Sequence, residues 1–312
     1  MFSFLKSRNS ISGLTGIEFR ENGISLVRVL REPGRLPRVM ACEFRPLNGA
    51  EEQDRVLARL VAEFSLKRSR CTTVLNPEEY TLLLTEAPDV PPDELRSAVR
   101  WRIKDLIDFH LDDAAIDVFD VTAANAPGRT RSMYVVAARN TAIQRRVDLC
   151  DTAGVGLDVI DIPEMAQRNL AAIVPEDVRG MVMLTLGSQR GLITITRQGE
   201  LFLSRRVEIG ADSLKAAGDR YPYFDQIVLE IQRSLDYFDS HFRQAHVDNL
   251  VLSPSANGVP GLVDYLNSNL NIKGRILNLS DVVQFEPEWA DTLAGPAWTA
   301  LGAALRHEEK AL

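Results

Sequence analysis

The chain has 312 residues, of which 45% are hydrophobic and 25% are charged, and its formal net charge is -7. This length predicts about two domains at roughly 100–200 residues each. The apolar fraction excludes a disordered or fibrous chain. The acidic balance argues against a protein whose main ligand is the phosphate backbone of a nucleic acid.

Cysteine and histidine are too few and too scattered to predict a metal or disulfide site. Cys42, Cys71 and Cys150 show no Cys-x-x-Cys spacing, and their odd number predicts a reducing compartment. The four histidines lack paired spacing, so no metal site is expected. No apolar run approaches the ~18 residues of a membrane helix, and the first residues do not form a secretory signal. We therefore predict a cytoplasmic protein.

The first part of the chain is predicted to form a three-strand meander, a helix and a further strand. After a polar tail over residues 1–12, strands at 14–19 and 24–29 flank the hairpin signal Asn22-Gly23. The third strand, the helix and the closing strand are predicted at 38–44, 51–64 and 71–75.

The second half repeats this order of elements without detectable sequence identity. Its strands are predicted at 181–186, 192–196, 201–209 and 249–252. A long helix precedes the last strand, and its apolar stripe consists of Ile227, Ile231, Leu235, Phe238 and Phe242. The final helix, at 296–305, is rich in small residues, which allow close packing between other elements.

A small α+β subdomain is predicted between the two units. It contains strands at 80–84, 116–122 and 132–137, a helix at 93–109 and a hairpin loop at 125–128. A helix at 140–153, a strand at 157–162 and a helix from Pro163 follow it. We predict lobe one at 13–178, with its core at 13–75 and 140–178 and the inserted subdomain at 76–139. Lobe two is predicted at 179–312, with the helix 296–306 returning to the lobe interface.

One tryptophan lies off the apolar stripe of the helix at 93–109. The stripe consists of Leu95, Val99, Ile103 and Leu106, and Trp101 projects about 150° from its centre. Tryptophan and arginine are enriched at interface hot spots, so Trp101 is a candidate anchor for a partner. The alternative is that Trp101 packs beneath another element, and the sequence leaves both open.

Four stretches, at 153–161, 229–238, 259–262 and 301–306, give the chain its family resemblance. Their order and spacing resemble the PilM branch of the actin-like ATPase superfold, which acts in type IV pilus assembly, and most closely the MshI type of mannose-sensitive pilus systems. The resemblance implies an α/β, actin-like (RNase H-like) fold of two lobes, with the small α+β subdomain inserted in lobe one.

The resemblance also implies a nucleotide cleft between the lobes, and this chain departs from the family pattern there. Two hairpins should each carry an Asp-Ile-Gly motif, but the first has Glu18 and Arg20, and the second has Thr185 before Gly187. A Gly-Gly turn at the adenosine is replaced by the segment from Ser253 to Gly258, whose Pro254 has no N–H and a fixed φ.

These departures predict a degenerate nucleotide site, because phosphoryl transfer depends on positioned Mg²⁺ and charge compensation. No catalytic residue and no bound cofactor are expected. Glu164 matches an acidic position of related ATPases. Arg20 and Arg190, at the hairpin tips, could hold an anion. The alternative is that both arginines are solvated turn residues. The alternative is an active actin-like ATPase that binds Mg²⁺-ATP with divergent phosphate loops.

In the resembled family, lobe one and the small subdomain bind an N-terminal peptide of a PilN-type bitopic inner-membrane protein. The resemblance therefore implies a non-catalytic adaptor, cytoplasmic and peripheral to the inner membrane through its partner. Homodimer or filament formation stays open. The candidate partner-binding residues lie on the helix at 93–109 and on the neighbouring strand, at Trp101, Arg100, Lys104, Leu82 and Leu84.

Overall fold

The computed structural model describes residues 11–47, 50–91, 94–121, 132–242 and 246–307, without the side chains of residues 50–52. Most of the predicted polar tail, the predicted helix start at Asp93 and the predicted loop at 125–128 lie outside these residues. Among the described helices, none has the length and apolar character needed to span a membrane.

The first sheet has five strands, β1 (Leu14–Arg20), β2 (Gly23–Leu30), β3 (Arg38–Pro46), β4 (Arg70–Val74) and β8 (Leu157–Asp161). Their spatial order is β3-β2-β1-β4-β8, with β4 and β8 parallel to β1. The predicted hairpin is confirmed, because Arg20 pairs with Gly23. Helices α1 (Ala50–Glu63) and α3 (Asn140–Ala153) pack on this sheet, and Cys150 is buried in that core as predicted.

The second sheet has the same design. Its strands are β9 (Met181–Leu186), β10 (Gly191–Arg197), β11 (Glu200–Val207), β12 (Asn249–Leu252) and β13 (Lys273–Ile276), in the order β11-β10-β9-β12-β13. The architectural repeat predicted from the sequence is therefore confirmed. Its helices are α5 (Ala211–Ala216), α6 (Tyr221–Phe242) and α7 (Leu262–Asn269).

The predicted apolar stripe of α6 is confirmed, because all five of its residues are buried. Phe238 and Phe242 both meet the ring of Phe202 on β11, edge to face, at 5.4 Å between ring centres. These contacts fix α6 across the second sheet. The strand β13 was not predicted, because its sequence Lys-Gly-Arg-Ile shows no apolar alternation.

A third, small sheet consists of β5 (Tyr80–Glu86), β6 (Ala114–Val121) and β7 (Ser132–Arg139), in the order β5-β7-β6. Helix α2 (Leu95–Arg102) packs on it through Val99 and the adjoining Ile103. The predicted continuation of this helix to residue 109 is wrong.

The helix ends after Arg102, and this early end also explains why the predicted burial of Leu106 is wrong. Phe109 turns back onto the small-sheet core, where the guanidinium of Arg139 lies 4.6 Å from its ring centre. Packing of Phe109 thus overrides the local helical pattern. Leu106, which was predicted to belong to the core stripe, is 58% exposed as a result.

Two helices lie between the large sheets. Helix α4 (Pro163–Ala171) packs on the second sheet, and α9 (Trp298–Ala304) packs on β1 and β2 of the first. They approach each other closely at Gly302, and a short helix α8 (Ala290–Ala294) precedes α9. The small residues of α9 therefore permit the close packing that its sequence predicts. The proposed domain boundaries themselves stay predictions.

Candidate functional site

A cleft of about 540 Å³ opens between the two large sheets. The β1–β2 hairpin lines it from the first sheet and the β9–β10 hairpin from the second. Helix α4, the start of α9 and the segment 75–78 after β4 also line the cleft. This is the place where the sequence analysis predicts a degenerate nucleotide site.

On the first hairpin, Glu18 and Arg20 are bound to each other. Arg20 donates from Nη2 to one carboxylate oxygen of Glu18 and approaches the other through Nε, both at 2.9 Å. Arg20 also reaches the hydroxyl of Thr299 at 3.4 Å. Burial raises the pKa of Glu18, although Arg20 lowers it in part. Both residues line the cleft, as predicted, but as an internal ion pair.

On the second hairpin, the predicted residues are also engaged within the protein. The indole N–H of Trp298 donates to the hydroxyl of Thr185 at 3.1 Å. The backbone N–H of Gly187 donates to the carbonyl of Arg190 at 2.9 Å, which closes the hairpin turn. The amide that would approach a phosphate in this turn therefore already has a partner.

Two arginines of the second sheet reach toward the opposite wall of the cleft. Arg190 contacts Glu78 of the first-sheet side at 2.5 Å and Glu208 of its own sheet at 2.9 Å. Arg206 donates to the carbonyl of Pro77 at 3.0 Å. Both contacts join the second sheet to the segment that follows β4.

Glu164, at the start of α4, is the most buried charge of the cleft, with 1% exposure. Its carboxylate accepts hydrogen bonds from Arg206 at 3.1 Å and from the hydroxyl of Tyr80. The guanidinium of Arg206 also lies 4.8 Å from the ring centre of Tyr80. Burial and the nearby carboxylate raise the pKa of Tyr80. Tyr80 and Arg206 were not predicted, because nothing in the sequence places them beside Glu164.

The third predicted element of the nucleotide site, the segment from Ser253 to Gly258, is not part of the cleft lining. Ser253 is buried, and its hydroxyl shares a hydrogen bond with Ser255, which donates to the carbonyl of Leu186. Gly258 faces Lys215 of α5, whose Cε lies 3.2 Å from where a Cβ would be. Ser253 and Gly258 therefore do not line the cleft with the other four predicted residues.

The charges of the cleft determine what it can hold. Arg20, Arg190 and Arg206 each have a glutamate partner; Arg20 is half-buried, whereas Arg190 and its two glutamates are exposed to solvent. A triphosphate would have to displace these carboxylates. Within the described ranges, no three His, Cys, Asp or Glu residues are grouped as metal ligands would be.

A second concave site, of about 730 Å³, was not predicted from the sequence. Its walls are β6 of the small sheet, β8 of the first sheet and the turn between β10 and β11 of the second. Both β6 and β8 are edge strands of their sheets. We call this site the groove, and its apolar lining includes Ile116, Phe119, Val159, Ile160, Met165 and Leu201.

The polar rim of the groove is mainly acidic. Asp161 accepts from Arg306 at 2.7 Å, and Asp158 pairs with Arg70 at 3.0 Å. Asp117 on β6 pairs with Arg96 of α2 at 2.9 Å. The groove thus combines an apolar floor, two strand edges and a rim of carboxylates held in place by arginines.

The predicted partner-binding residues fall on two separate surfaces. Trp101 is 72% exposed, so in the described part of the chain it does not pack beneath another element. Lys104 is exposed beside it, and Arg100 pairs with Asp112 at 3.0 Å. None of the three lines the groove.

Leu82 and Leu84 differ from the expectation of an exposed strand edge. β5 is an edge strand, as predicted, but strand alternation places both leucines on one face. That face packs on the second-sheet core, where Leu82 and Leu84 are half-buried. Their side chains are therefore part of the contact between the small and second sheets.

Comparison with known proteins follows from this geometry. Two lobes around a cleft define the actin-like ATPase fold. A Bacteroides thetaiotaomicron protein of that fold matches with a TM-score of 0.53 and 9% identity, over 99% of this chain and 100% of that one. The cytoplasmic domain of EpsL, an inner-membrane component of the Vibrio cholerae type II secretion system, matches with a TM-score of 0.53 and 12% identity, over 96% and 97%.

The more specific comparison is with PilM. The family model of the type IV pilus assembly protein PilM matches residues 85–217. The structure of a PilM–PilN type IV pilus biogenesis complex matches with a TM-score of 0.73 and 21% identity, over 94% of this chain and 98% of that one. Curated protein sequences give no match. The resemblance to the PilM family and the actin-like fold, both predicted from the sequence, are confirmed.

Proposed function

We propose that this chain is a non-catalytic adaptor of type IV pilus assembly, of the MSHA-like kind. It binds the cytoplasmic N-terminal peptide of a PilN-like inner-membrane protein, and that partner holds it at the membrane. The groove carries this proposal, because two of its walls, β8 and β6, come from lobe one and the inserted subdomain, where the resemblance expects the peptide. The PilM–PilN complex that the chain resembles supports the choice of partner.

The groove suits an extended peptide for a physical reason. β6 and β8 are both edge strands, so each offers main-chain groups to a strand added beside it. Pockets between alternate side chains then select apolar residues of the peptide.

The cleft supports the non-catalytic part of the proposal. Its carboxylates Glu18 and Glu164 are bound to arginines. Mg²⁺-dependent phosphoryl transfer, in contrast, needs carboxylates that organise the metal ion. The second hairpin has Thr185 at the position of the family aspartate, and Trp298 occupies its hydroxyl. We therefore assign the cleft a structural role.

The test is a binding titration with a fluorescent peptide that matches the N-terminal cytoplasmic segment of a PilN-like protein. Val159→Arg, on the edge strand β8, should weaken binding about tenfold or more by placing a bulky charge in the groove. Leu229→Arg is the matched control, because Leu229 is exposed on α6 and is not part of the groove lining. Equal affinities of these two variants would contradict the assignment of the groove.

Trp101→Ala, measured in the same titration, tests whether the interface extends onto α2. If Trp101 is an anchor, its truncation should weaken binding at least tenfold. Because Trp101 is exposed, its truncation should leave the fold intact. An unchanged affinity would remove Trp101, and with it the α2 surface, from the binding site.

A further inference from the structure

The outer edge of β5, in the small sheet, differs from the other edges of the described sheets. Those sheets end at the strands β3 and β8, β11 and β13, and β5 and β6. The other five edge strands all carry charged residues, which discourage a further strand from pairing there. β5 is uncharged from Tyr80 to Thr85, and Glu86 is its first charged residue. Most of β5 therefore lacks the usual protection of a sheet edge.

The main chain of β5 is open to a further strand on one side. β7 pairs with its other side over the whole length from Tyr80 to Glu86. In the part of the chain that the structure describes, the open side has no neighbouring strand, and residues 81–85 make no backbone hydrogen bond to a loop. Unpaired N–H and C=O groups along an edge bind an added strand.

Both faces of β5 are already packed, so its edge is what it can offer to a partner. Leu82 and Leu84 pack on the second-sheet core, and Leu83 packs on the core beneath α2. A helix or a globular surface would need one of these faces. The edge instead suits an extended strand, which binds through main-chain hydrogen bonds.

The sequence of β5 points to the strand that fits it best. Its central part reads the same in both directions, as Thr81-Leu82-Leu83-Leu84-Thr85. If two copies pair antiparallel about Leu83, threonine lies opposite threonine and leucine lies opposite leucine. Residues opposite each other in an antiparallel pair have their side chains on the same face of the sheet, where like side chains of these types interact favourably. An uncharged strand also brings no like charges together when it meets its own copy.

We propose that β5 pairs with β5 of a second copy of this chain, about a twofold axis that passes beside Leu83. The two small sheets then form one continuous sheet, and the interface is isologous, as is usual for a twofold dimer. β6 and the groove lie at the opposite edge of the small sheet, so this pairing uses neither groove. The inference goes beyond the proposed function and does not rest on it.

Cysteine cross-linking tests the pairing and its register. Thr81→Cys with Thr85→Cys places thiols opposite each other, with Cα atoms about 4.5–5.5 Å apart, which a disulfide can span. Thr81→Cys alone is the matched control, because its two copies would lie about 13 Å apart along the strands. The native cysteines are buried and do not compete. Mild oxidation of the full chain should give a linked dimer from the double variant and a monomer from the single variant.

Sedimentation velocity over about 5–200 μM measures the dimer without a cross-link. The unmodified chain should show a weak monomer–dimer equilibrium, because a junction of two strands is a small interface. Thr81→Lys with Thr85→Lys should weaken dimerisation about fivefold or more, since each lysine then lies opposite a lysine. Thr81→Lys with Thr85→Glu is the matched control. It charges the same positions but places lysine opposite glutamate, so the dimer should return. Circular dichroism confirms that each variant is folded.

Three results would each overturn the inference. The first is a chain that stays monomeric over this range and forms no cross-link. The second is a dimer of equal strength in the Lys/Lys and Lys/Glu variants, because its interface would then lie elsewhere. The third is cross-linking of Thr81→Cys as readily as of the double variant, which would exclude the register. Failure of the partner peptide to bind would contradict the proposed function and leave these measurements unaffected.

Discussion

Replacing Gly302 with alanine tests how tightly the two central helices connect the lobes. Gly302 lies in α9 against α4, and an added Cβ would lie 2.3 Å from the carbonyl oxygen of Ala166. Ordinary contact begins near 3.4 Å, so the helices would have to separate by about 1 Å. The two nearest atoms belong to the backbone of Ala166, which cannot move aside as a flexible side chain can. We therefore expect Gly302→Ala to destabilise the fold.

The magnitude follows from three terms. Overpacking of a close interface costs about 1–3 kcal/mol. Separation also weakens the buried hydrogen bond from Asn169 to the carbonyl of Gly302, now 3.0 Å long, which is worth about 1 kcal/mol. The higher helix propensity of alanine returns about 1 kcal/mol. The net loss is thus about 1–3 kcal/mol, or a fall of several degrees in the thermal midpoint.

The assay is thermal unfolding followed by circular dichroism, with Gly218→Ala as the control. An added Cβ at Gly218 meets no atom within 4 Å, and its φ lies outside the left-handed region. This control should unfold within about one degree of the unmodified chain or slightly higher. Gly16→Ala probes the other side of α9, because its Cβ would lie 2.1 Å from the carbonyl oxygen of Ala300. If Gly302→Ala matches the control, the close contact between α9 and α4 does not hold the lobes together.

Three further predictions use simple solution measurements. Burial raises the pKa of the Cys42 and Cys71 thiols to about 12 and that of Cys150 to about 11, so an aromatic disulfide reagent should label them only under denaturing conditions. Fast labelling of the folded chain would contradict their burial. The hydrogen bond from Arg275 lowers the pKa of Glu176 below its ordinary 4.5, so this pair stabilises the fold fully above pH 4.5 and progressively less below it. In urea unfolding at pH 7, Glu176→Gln should therefore have a lower free energy of unfolding than the unmodified chain. This difference in free energy should shrink as the pH falls toward about 3. A difference that stays constant with pH would refute the pairing. Millimolar Mg²⁺-ATP should leave the thermal midpoint unchanged, whereas a clear rise would favour the ATPase alternative.

Most secondary structure could be predicted from local pattern, because each element buries one regular face. The strand Met181–Leu186 and the helix Asn140–Ala153 have the bounds that periodicity predicts. The stripe from Ile227 to Phe242 predicts α6 for the same reason. Prediction failed at α2, where packing of Phe109 onto the small sheet ended a locally acceptable helix.

The site was only partly predictable, because its residues meet through topology. Glu18, Arg20, Thr185 and Gly187 could be located by their motif positions, and all four line the cleft. The side chains that contact them could not be predicted; Trp298, for example, lies 113 residues from its partner Thr185 in sequence. The groove could not be predicted either. Its two strand edges belong to different sheets, and no local signal reports which strand of a sheet is at the edge.

The ion pairs of the cleft favour the proposed adaptor over the ATPase alternative. Mg²⁺-ATP would bring phosphate charge to a site where Arg20, Arg190 and Arg206 already have carboxylate partners. An arginine that turned to a phosphate would leave its glutamate unpaired beside the same anion, and for the buried Glu164 that loss is of order several kcal/mol. The nucleotide would thus have to break ion pairs of the cleft walls in order to bind. This cost supports the proposed adaptor over the ATPase alternative.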